Sequence, residues 1–273
     1  MKFLKFVLLN TLCLLAFTAY ASPVKRVIAL SPHAVEQLYA IGAGELIVAT
    51  TEHADFPVSA KNIPTIGGFH GIQIERILEL APDLIVYWGS GNKTDDIQRL
   101  KQLGFNLYNS DPKTLHDVVL DLKVLGELTG RQKITEKVIN DFKTKLTRLR
   151  LANHKKTKVK VFYQLWSNPL MTVSKNSWIQ QLIQVCNGEN VFYDAEGDYP
   201  QVSIENVLLV KPEVILASKD KGNLQGINWE KWSMIPAVKN GNIYPLNADL
   251  LHRPTPRALD GIVAICQAID TAR

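Results

Sequence analysis

Cysteine is scarce in this chain, with three among 273 residues, which excludes a small scaffold held together mainly by disulfides. A phosphate-cradling P-loop, a dinucleotide glycine fingerprint, a nucleophile elbow and a paired-histidine zinc helix are all missing, so the common nucleotide, acyl-transfer and metalloprotease chemistries have no carrier. There is no block of lysine and arginine of the kind that tracks a phosphate backbone. The densest basic run, HKKTKVK from His154, lies between structured segments and reads as a solvated linker, which excludes nucleic acid as a partner. After the first 22 residues no apolar run approaches the roughly 20 residues a membrane-spanning helix needs.

Those first residues have an order of their own. MKFLKFVLLNTLCLLAFTAYAS begins with Lys2 and Lys5, continues in an apolar run interrupted by Asn10, and ends in Ala19-Tyr20-Ala21. A charged start, an apolar middle and a small-x-small end read as a secretory leader cut after Ala21, residues 1–21, that sends the chain to the periplasm. Removing Lys2 and Lys5 and no acid lowers the formal charge from +5 to +3. Cys13 leaves as well, and Cys186 and Cys266 remain. Two cysteines in an exported chain favour a disulfide, with two buried free thiols as the alternative.

The mature sequence is ordinary globular material, with 46% apolar and 21% charged residues over the whole chain. RVIAL (26–30) runs into Ser31-Pro32, a cap and first-turn pair for a helix ending near Gly42. LIVAT (46–50), LIVYW (84–88) and FNLYN (105–109) are further short strand-like runs with helical patterns between them. Continuous rather than alternating apolar strands predict parallel sheets covered on both faces. From about Leu115 to Asn153 the rhythm changes to two helical segments separated near Gly126 and Gly130. In the second, Ile134, Val138, Phe142, Leu146 and Leu149 form one predicted apolar stripe along roughly 30 Å of helix, long enough to cross between domains. KVKVFYQL (158–165), a helix over 177–185, VILAS (214–218), NIYPL (242–246) and a last helix over 256–272 restore the α/β order. The expected organisation is a lobe over 22–112, a helical connector over 113–153 and a second lobe over 154–273.

One module occurs twice: IERILELAPDLIVY at 74–87 and IENVLLVKPEVILA at 204–217. Each reads as a helix ended by Pro82 or Pro212 and followed by a strand. Ser203 is placed to cap the second helix, and Gln73 stands at the same place in the first. Glu75 and Glu205 fall in the first turns, where the helix dipole favours an anion; placed alike on two lobes, they also make two negative points that a basic partner could read. Phe69 and Tyr199 each precede a module by five residues, and Trp88 ends the strand of the first. In open α/β sheets such loops border the ligand crevice. His53 and His252 lie in predicted loops. Asp249, His252 and Arg253 together suggest an exported hydrolase as a competing reading, although no nucleophile stands beside them in sequence.

The stretches RVIALSPHAVE, DFP (55–57), GIQIERILELAPDLIVYWGSGN, VCNGENVF, YPQVSIENVL and RPTPR together resemble the periplasmic binding proteins whose lobes are joined by one rigid helix, in particular the cobalamin-binding branch, over nearly the whole mature chain. The resemblance implies two Rossmann-like lobes with a ligand cleft between them and a carrier without catalytic residues or a resident cofactor. It implies a Cys186–Cys266 disulfide, and docking of Glu75 and Glu205 on an ABC permease dimer. It places a corrinoid against His53, Phe69, Trp88, Tyr199 and the segment Asp249, Leu250, Leu251, His252 and Arg253, with Trp166 and Met171 as weaker additions. The carrier is expected to work as a monomer. The family pattern has tyrosine where His53 stands, tryptophan at Phe69 and at Tyr199, and glutamate at His252. Ring stacking survives at two of these positions; imidazole at 53 or 252 could instead approach a metal, cobalt in a corrinoid or iron in haem. Haem or a ferric siderophore is the alternative cargo.

Overall fold

The computed structural model describes residues 24–219 and 227–273; the leader reading falls outside them. In the first lobe β1 (Val27–Ala29) feeds α1 (Pro32–Ala40) through Ser31, whose Oγ accepts the Ala34 N–H at 3.3 Å. β2 (Ile47–Thr50) follows, then a two-stranded hairpin of β3 (Gly67–Gly68) and β4 (Gly71–Ile72), α2 (Ile74–Leu80), β5 (Leu84–Tyr87), α3 (Thr94–Gln102) and β6 (Leu107–Asn109). Apart from the hairpin these strands are parallel, in the order β2-β1-β5-β6.

The connector is α4 (Leu115–Thr129) and α5 (Gln132–Asn153), turned at Gly130, whose φ of 70° is open to glycine at little cost. It is α5 that crosses. Arg131, just before it, donates to the Gly42 carbonyl and pairs with Glu45 in the first lobe. At its other end Asn153 Nδ2 lies 3.5 Å from Cys266 Sγ in the second. Its buried stripe is Thr135, Ile139, Phe142 and Leu146, with Val138 and Leu149 of the predicted run partly buried against the same core; Ile134 is left 46% exposed. The physical reason is that α5 packs on α4 over its first turns, through Thr135 beside Gly126, before it meets the second lobe.

The second lobe runs β7 (Val159–Gln164), a hairpin of β8 (Trp166–Ser167) and β9 (Leu170–Met171), α6 (Trp178–Val185), β10 (Gly188–Asn190), α7 (Ile204–Val210), β11 (Val214–Lys219), α8 (Pro236–Lys239), β12 (Ile243–Asn247), α9 (Ala248–His252) and α10 (Ala258–Asp270). Its parallel sheet has the order β10-β7-β11-β12. In each lobe, therefore, the first main strand lies between the second and third, with the fourth outside the third. Cys186 and Cys266 are bonded, tying the end of α6 to α10 across 80 residues.

The repeated module is the unit that feeds the third strand of each sheet, and its copies match in detail. Ala81 and Lys211 end the two helices in the left-handed region, with φ of 42° and 50°. The acid after each proline then binds the first strand: Asp83 accepts from the Arg26 N–H at 2.9 Å, and Glu213 from the Lys160 N–H at 2.8 Å. Asn106 and Asn242 close the pattern from the fourth strands, each donating its side-chain amide at 3.2 Å to the carbonyl of that acid. Ser203 caps α7 by accepting the Asn206 N–H, whereas Gln73 forms no side-chain cap on α2. The sequence repeat thus carries a side-chain brace in each sheet as well as a helix-to-strand turn.

The outer face of each sheet has its own apolar cluster, one around Ile28, Ile77 and Ile85 and one around Phe162, Val207 and Ile215. The inner faces share a third. It runs from Val27, Val35 and Val86 through Leu122 and Phe142 to Val161, Leu182 and Ile262, so both lobes and the connector bury apolar surface in one core.

Candidate functional site

The carboxyl ends of the strands of both sheets open on a cleft of about 670 Å³. Trp88 directly follows β5, and Asp111 and Lys113 follow β6; these form the wall from the first lobe. Leu165, Trp166, Met171, Asn176, Trp178, Asp198 and Tyr199 form the wall from the second, and His252 and Pro254 come from the chain after β12. Open α/β sheets bind ligands at this end of their strands.

Trp88 is held from several sides and open to the cleft. Its indole N–H donates to Asp111 Oδ1 at 2.9 Å, and its backbone N–H to Asn92 Oδ1 at 2.7 Å. Gly91 lies against the ring so closely that a Cβ there would be 2.0 Å from it. His33 and the ring meet edge-to-face at 85°, with centroids 5.5 Å apart. Asp111 Oδ1 also accepts from Ser90 Oγ at 2.8 Å and from Lys113 Nζ at 2.7 Å. Burial alone would raise the Asp111 carboxyl, but bonds from Lys113, Ser90 and Trp88 outweigh it and hold the group below the usual range.

His33 is buried, and its Nε2 donates to the Ser110 carbonyl at 2.9 Å. Ser110 Oγ in turn donates to Asp121 of α4 at 2.6 Å. A polar chain therefore links the connector to the cleft tryptophan. Burial pushes the His33 imidazole down from 6.5 to about 4. The neutral ring is the one the fold accepts, so its contribution is complete above pH 6.5 and is lost as pH falls towards 4, where the unfolded chain binds the extra proton. A shift of that size corresponds to about 3 kcal/mol. In urea unfolding between pH 7 and 4, the wild-type protein is expected to lose about that much stability relative to His33→Gln, a comparison that cancels the opposing titrations of buried acids; parallel profiles would refute it.

On the second wall, Trp178 is buried and donates its indole N–H to the Leu251 carbonyl at 2.7 Å. Tyr199 is half-exposed, and its phenol is pushed up, first by burial and then by Asp198. Three backbone ties hold the loop that carries them. The Ser174 N–H donates to the Asp198 carbonyl, the Thr172 N–H to Pro200, and Met171 bridges Gln201. His252 Nε2 stands 2.9 Å from Tyr163 Oη.

Beneath the cleft the lobes are pinned. Arg253, 9% exposed, donates to Glu36 at 2.8 Å, to Asp55 at 3.1 Å, to the His53 carbonyl at 3.1 Å and to Asp249 at 2.6 Å. Thr255 adds a bond to Glu36, and Arg257 lies 3.1 Å from the same carboxylate with its guanidinium stacked on Phe56. Burial pushes the Glu36 carboxyl up while Arg253 and Arg257 pull it down. Two amides brace the same junction: Gln37 donates to the Pro254 carbonyl, and Gln181 grips the Lys113 carbonyl and the Leu115 N–H.

Of the ligand positions expected from sequence, the cleft gathers Trp88, Trp166, Met171, Tyr199 and His252. Asp249, Leu250, Leu251 and Arg253 do not line it. On the single turn of α9, residues 249 and 253 share the side that faces Glu36, Leu251 is buried in the core, and His252 alone points to Tyr163. Asp249 is accordingly taken up by Arg253, outside a hydrolytic site in the cleft. Phe69 sits 82% exposed in the turn of the β3–β4 hairpin, and His53 is exposed with φ 66°, its carbonyl held by Arg253. Asp111 and Lys113 were missed, although the rule that selected Trp88, a residue just past a strand, applies equally to SDPK after β6. Trp178 and Asp198 carried no such signal. Among the described residues no cluster of three or more metal-ligating side chains occurs.

Arg253→Met would keep the aliphatic stem but leave the buried Glu36 with Arg257 as its remaining guanidinium and the partly buried Asp55 without that of Arg253. We expect a loss of about 3–5 kcal/mol in urea unfolding; a loss below about 1 kcal/mol would show that the cluster does not hold the lobes.

Residues 27–250 match the family model described as periplasmic binding protein. The vitamin B12-binding protein of Vibrio parahaemolyticus is 35% identical, with 97% of this chain and 99% of the relative covered. That of Vibrio vulnificus is 38% identical, with 94% of each covered. Among solved structures, the periplasmic vitamin B12 binding protein BtuF of Vibrio cholerae matches with a TM-score of 0.84 and 37% identity over 92% of this chain and 98% of that one. The periplasmic haem-binding protein RhuT from Roseiflexus, at 22% identity and a TM-score of 0.78 over 90% and 99%, shares the fold.

Proposed function

Because the chain belongs to the periplasmic binding protein family, we propose that it is an exported carrier that captures a cobalamin between its lobes and delivers it to an ABC-type importer. The observation that carries this reading is the meeting of Trp88 from one lobe with Trp166 and Tyr199 from the other in one cleft, in a chain whose 35–38% identical relatives are named vitamin B12-binding proteins. Aromatic faces exclude water from a flat macrocycle, and Ser90, Asn176 and Asp198 offer hydrogen bonds to an amide rim. Capture and release of this kind need no bond-making step. Haem is the competing cargo, favoured by the imidazole of His252 in the cleft.

Titrating the purified protein with cyanocobalamin, haem and a ferric siderophore while following tryptophan fluorescence separates these. Saturation by cyanocobalamin with a Kd below about 10 μM, close to −7 kcal/mol, is expected, weakened about tenfold or more in Trp88→Ala. Silence towards cobalamin with saturation by haem would replace this reading with the other.

Delivery falls to Glu75 and Glu205. Both are exposed in the first turns of α2 and α7; Ser203 holds the Glu205 carboxyl below its usual range, and Arg99 approaches Glu75 at 3.9 Å. Exposed anions at matching places on two lobes suit a permease dimer that presents basic pockets. The double variant Glu75→Ala/Glu205→Ala is expected to bind cobalamin as the wild type does while losing transporter association and uptake. Uptake at the wild-type rate would reduce both residues to complements of their helix dipoles.

A further inference from the structure

We propose that Asp198 makes the cleft select its cargo by charge, admitting an uncharged or cationic amide-rimmed corrinoid and disfavouring one that bears a free carboxylate. The inference rests on reading the cleft as a corrinoid site and concerns which corrinoids it takes.

Its basis is the charge inventory of the walls. Of the described residues that line the cleft, Asp111, Lys113 and Asp198 carry formal charge, and His252 is the titratable neighbour. Lys113 is committed, with its ammonium 2.7 Å from Asp111 and 2.8 Å from Ser90. Asp198 has no ion pair among the described residues. The arginine closest in sequence to His252 cannot turn to an anion, because Arg253 is consumed beneath the floor by Glu36, Asp55 and Asp249. A carboxylate entering the cleft would lose water, find its one nearby cation already paired, and meet an uncompensated negative charge. A neutral amide in the same place loses no such charge hydration. A cation on the macrocycle would gain from the same field.

The backbone of Asp198 is also fixed where it stands. Its carbonyl accepts from Ser174, and the neighbouring Gly197 carbonyl accepts from Ser174 Oγ at 2.5 Å. Its charge is sensed by the adjacent Tyr199, whose phenol it helps to push up. The carboxylate itself is exposed, so its influence is modest and screened by salt, on the scale of an exposed ion pair.

Three probes of one skeleton test this: cyanocobalamin, which is neutral; water-ligated cob(III)alamin in mildly acidic buffer, which carries one positive charge; and a monocarboxylic acid of cyanocobalamin, in which one rim amide is hydrolysed. Wild-type protein should bind the cation about two- to fivefold more tightly than the neutral form and the acid more weakly by a similar factor. Asp198→Asn should bring the three affinities together, Asp198→Lys should invert their order, and salt at about 0.5 M should flatten the wild-type ranking. A ranking unchanged in both variants overturns the proposal. If cyanocobalamin binds but the three probes do not differ in wild type, the charge inference fails alone; if cyanocobalamin does not bind, the corrinoid reading fails with it.

Discussion

The guanidinium of Arg253 is the point on which the two-lobed arrangement turns. It belongs to the second lobe, yet it is buried against Glu36 and Asp55 of the first, 217 and 198 residues away in sequence. Burying charges is costly, and an ion pair of this kind roughly offsets its own desolvation, so its main effect is on geometry rather than on net stability. With Arg253 seated, Pro254 receives Gln37 and His252 is left facing the cleft. The shared apolar core and the 22-residue α5 act in the same direction. Each resists separation of the lobes.

Seen from that junction, Trp88 is the far end of a second buried arrangement. Asp121 on α4 receives both Ser110 and Tyr108, Ser110 receives His33, and His33 meets the indole edge-to-face. Burial raises the Asp121 carboxyl, an effect that bonds from Ser110 and Tyr108 moderate. Low local dielectric strengthens each bond in such a chain and makes an unpaired member expensive, so the ring is positioned by the connector as well as by its own strand. Preorganisation of this type reduces the ordering cost that binding in the cleft would otherwise meet.

Local features of this fold were legible in the sequence. The Ser31-Pro32 helix start, the strand and helix alternation and the paired modules depend on contacts a few residues long, and each left a pattern. Trp88 and Tyr199 were found because loops at strand ends have a recognisable composition. The Arg253 cluster was not legible, since nothing in RPTPR distinguishes an arginine that meets a ligand from one that meets Glu36. The α5 stripe departs from its pattern at Ile134 for a related reason: periodicity locates a face of a helix but not which neighbour covers it first. Phe69, in the turn of a two-residue hairpin, shows the limit of analogy with Tyr199. Similar spacing before a module placed one ring 82% exposed and the other in the cleft wall.

The two lobes are alike where they are braced and unlike where they face the cleft. Asp83 with Asn106 and Glu213 with Asn242 tie equivalent strands at nearly equal distances, a constraint that any change in one lobe must respect. The strand ends carry no such constraint. There the first lobe presents one indole backed by a bound ion pair, while the second presents Leu165, Trp166, Met171 and Tyr199 with the separate charge of Asp198. A repeated scaffold needs its braces in both copies, because each stitches its own sheet; the cleft walls are under no such requirement and carry different groups. The module at 74–87 and 204–217 therefore repeats within this chain for the sheets, and the loops that line the cleft are free to differ.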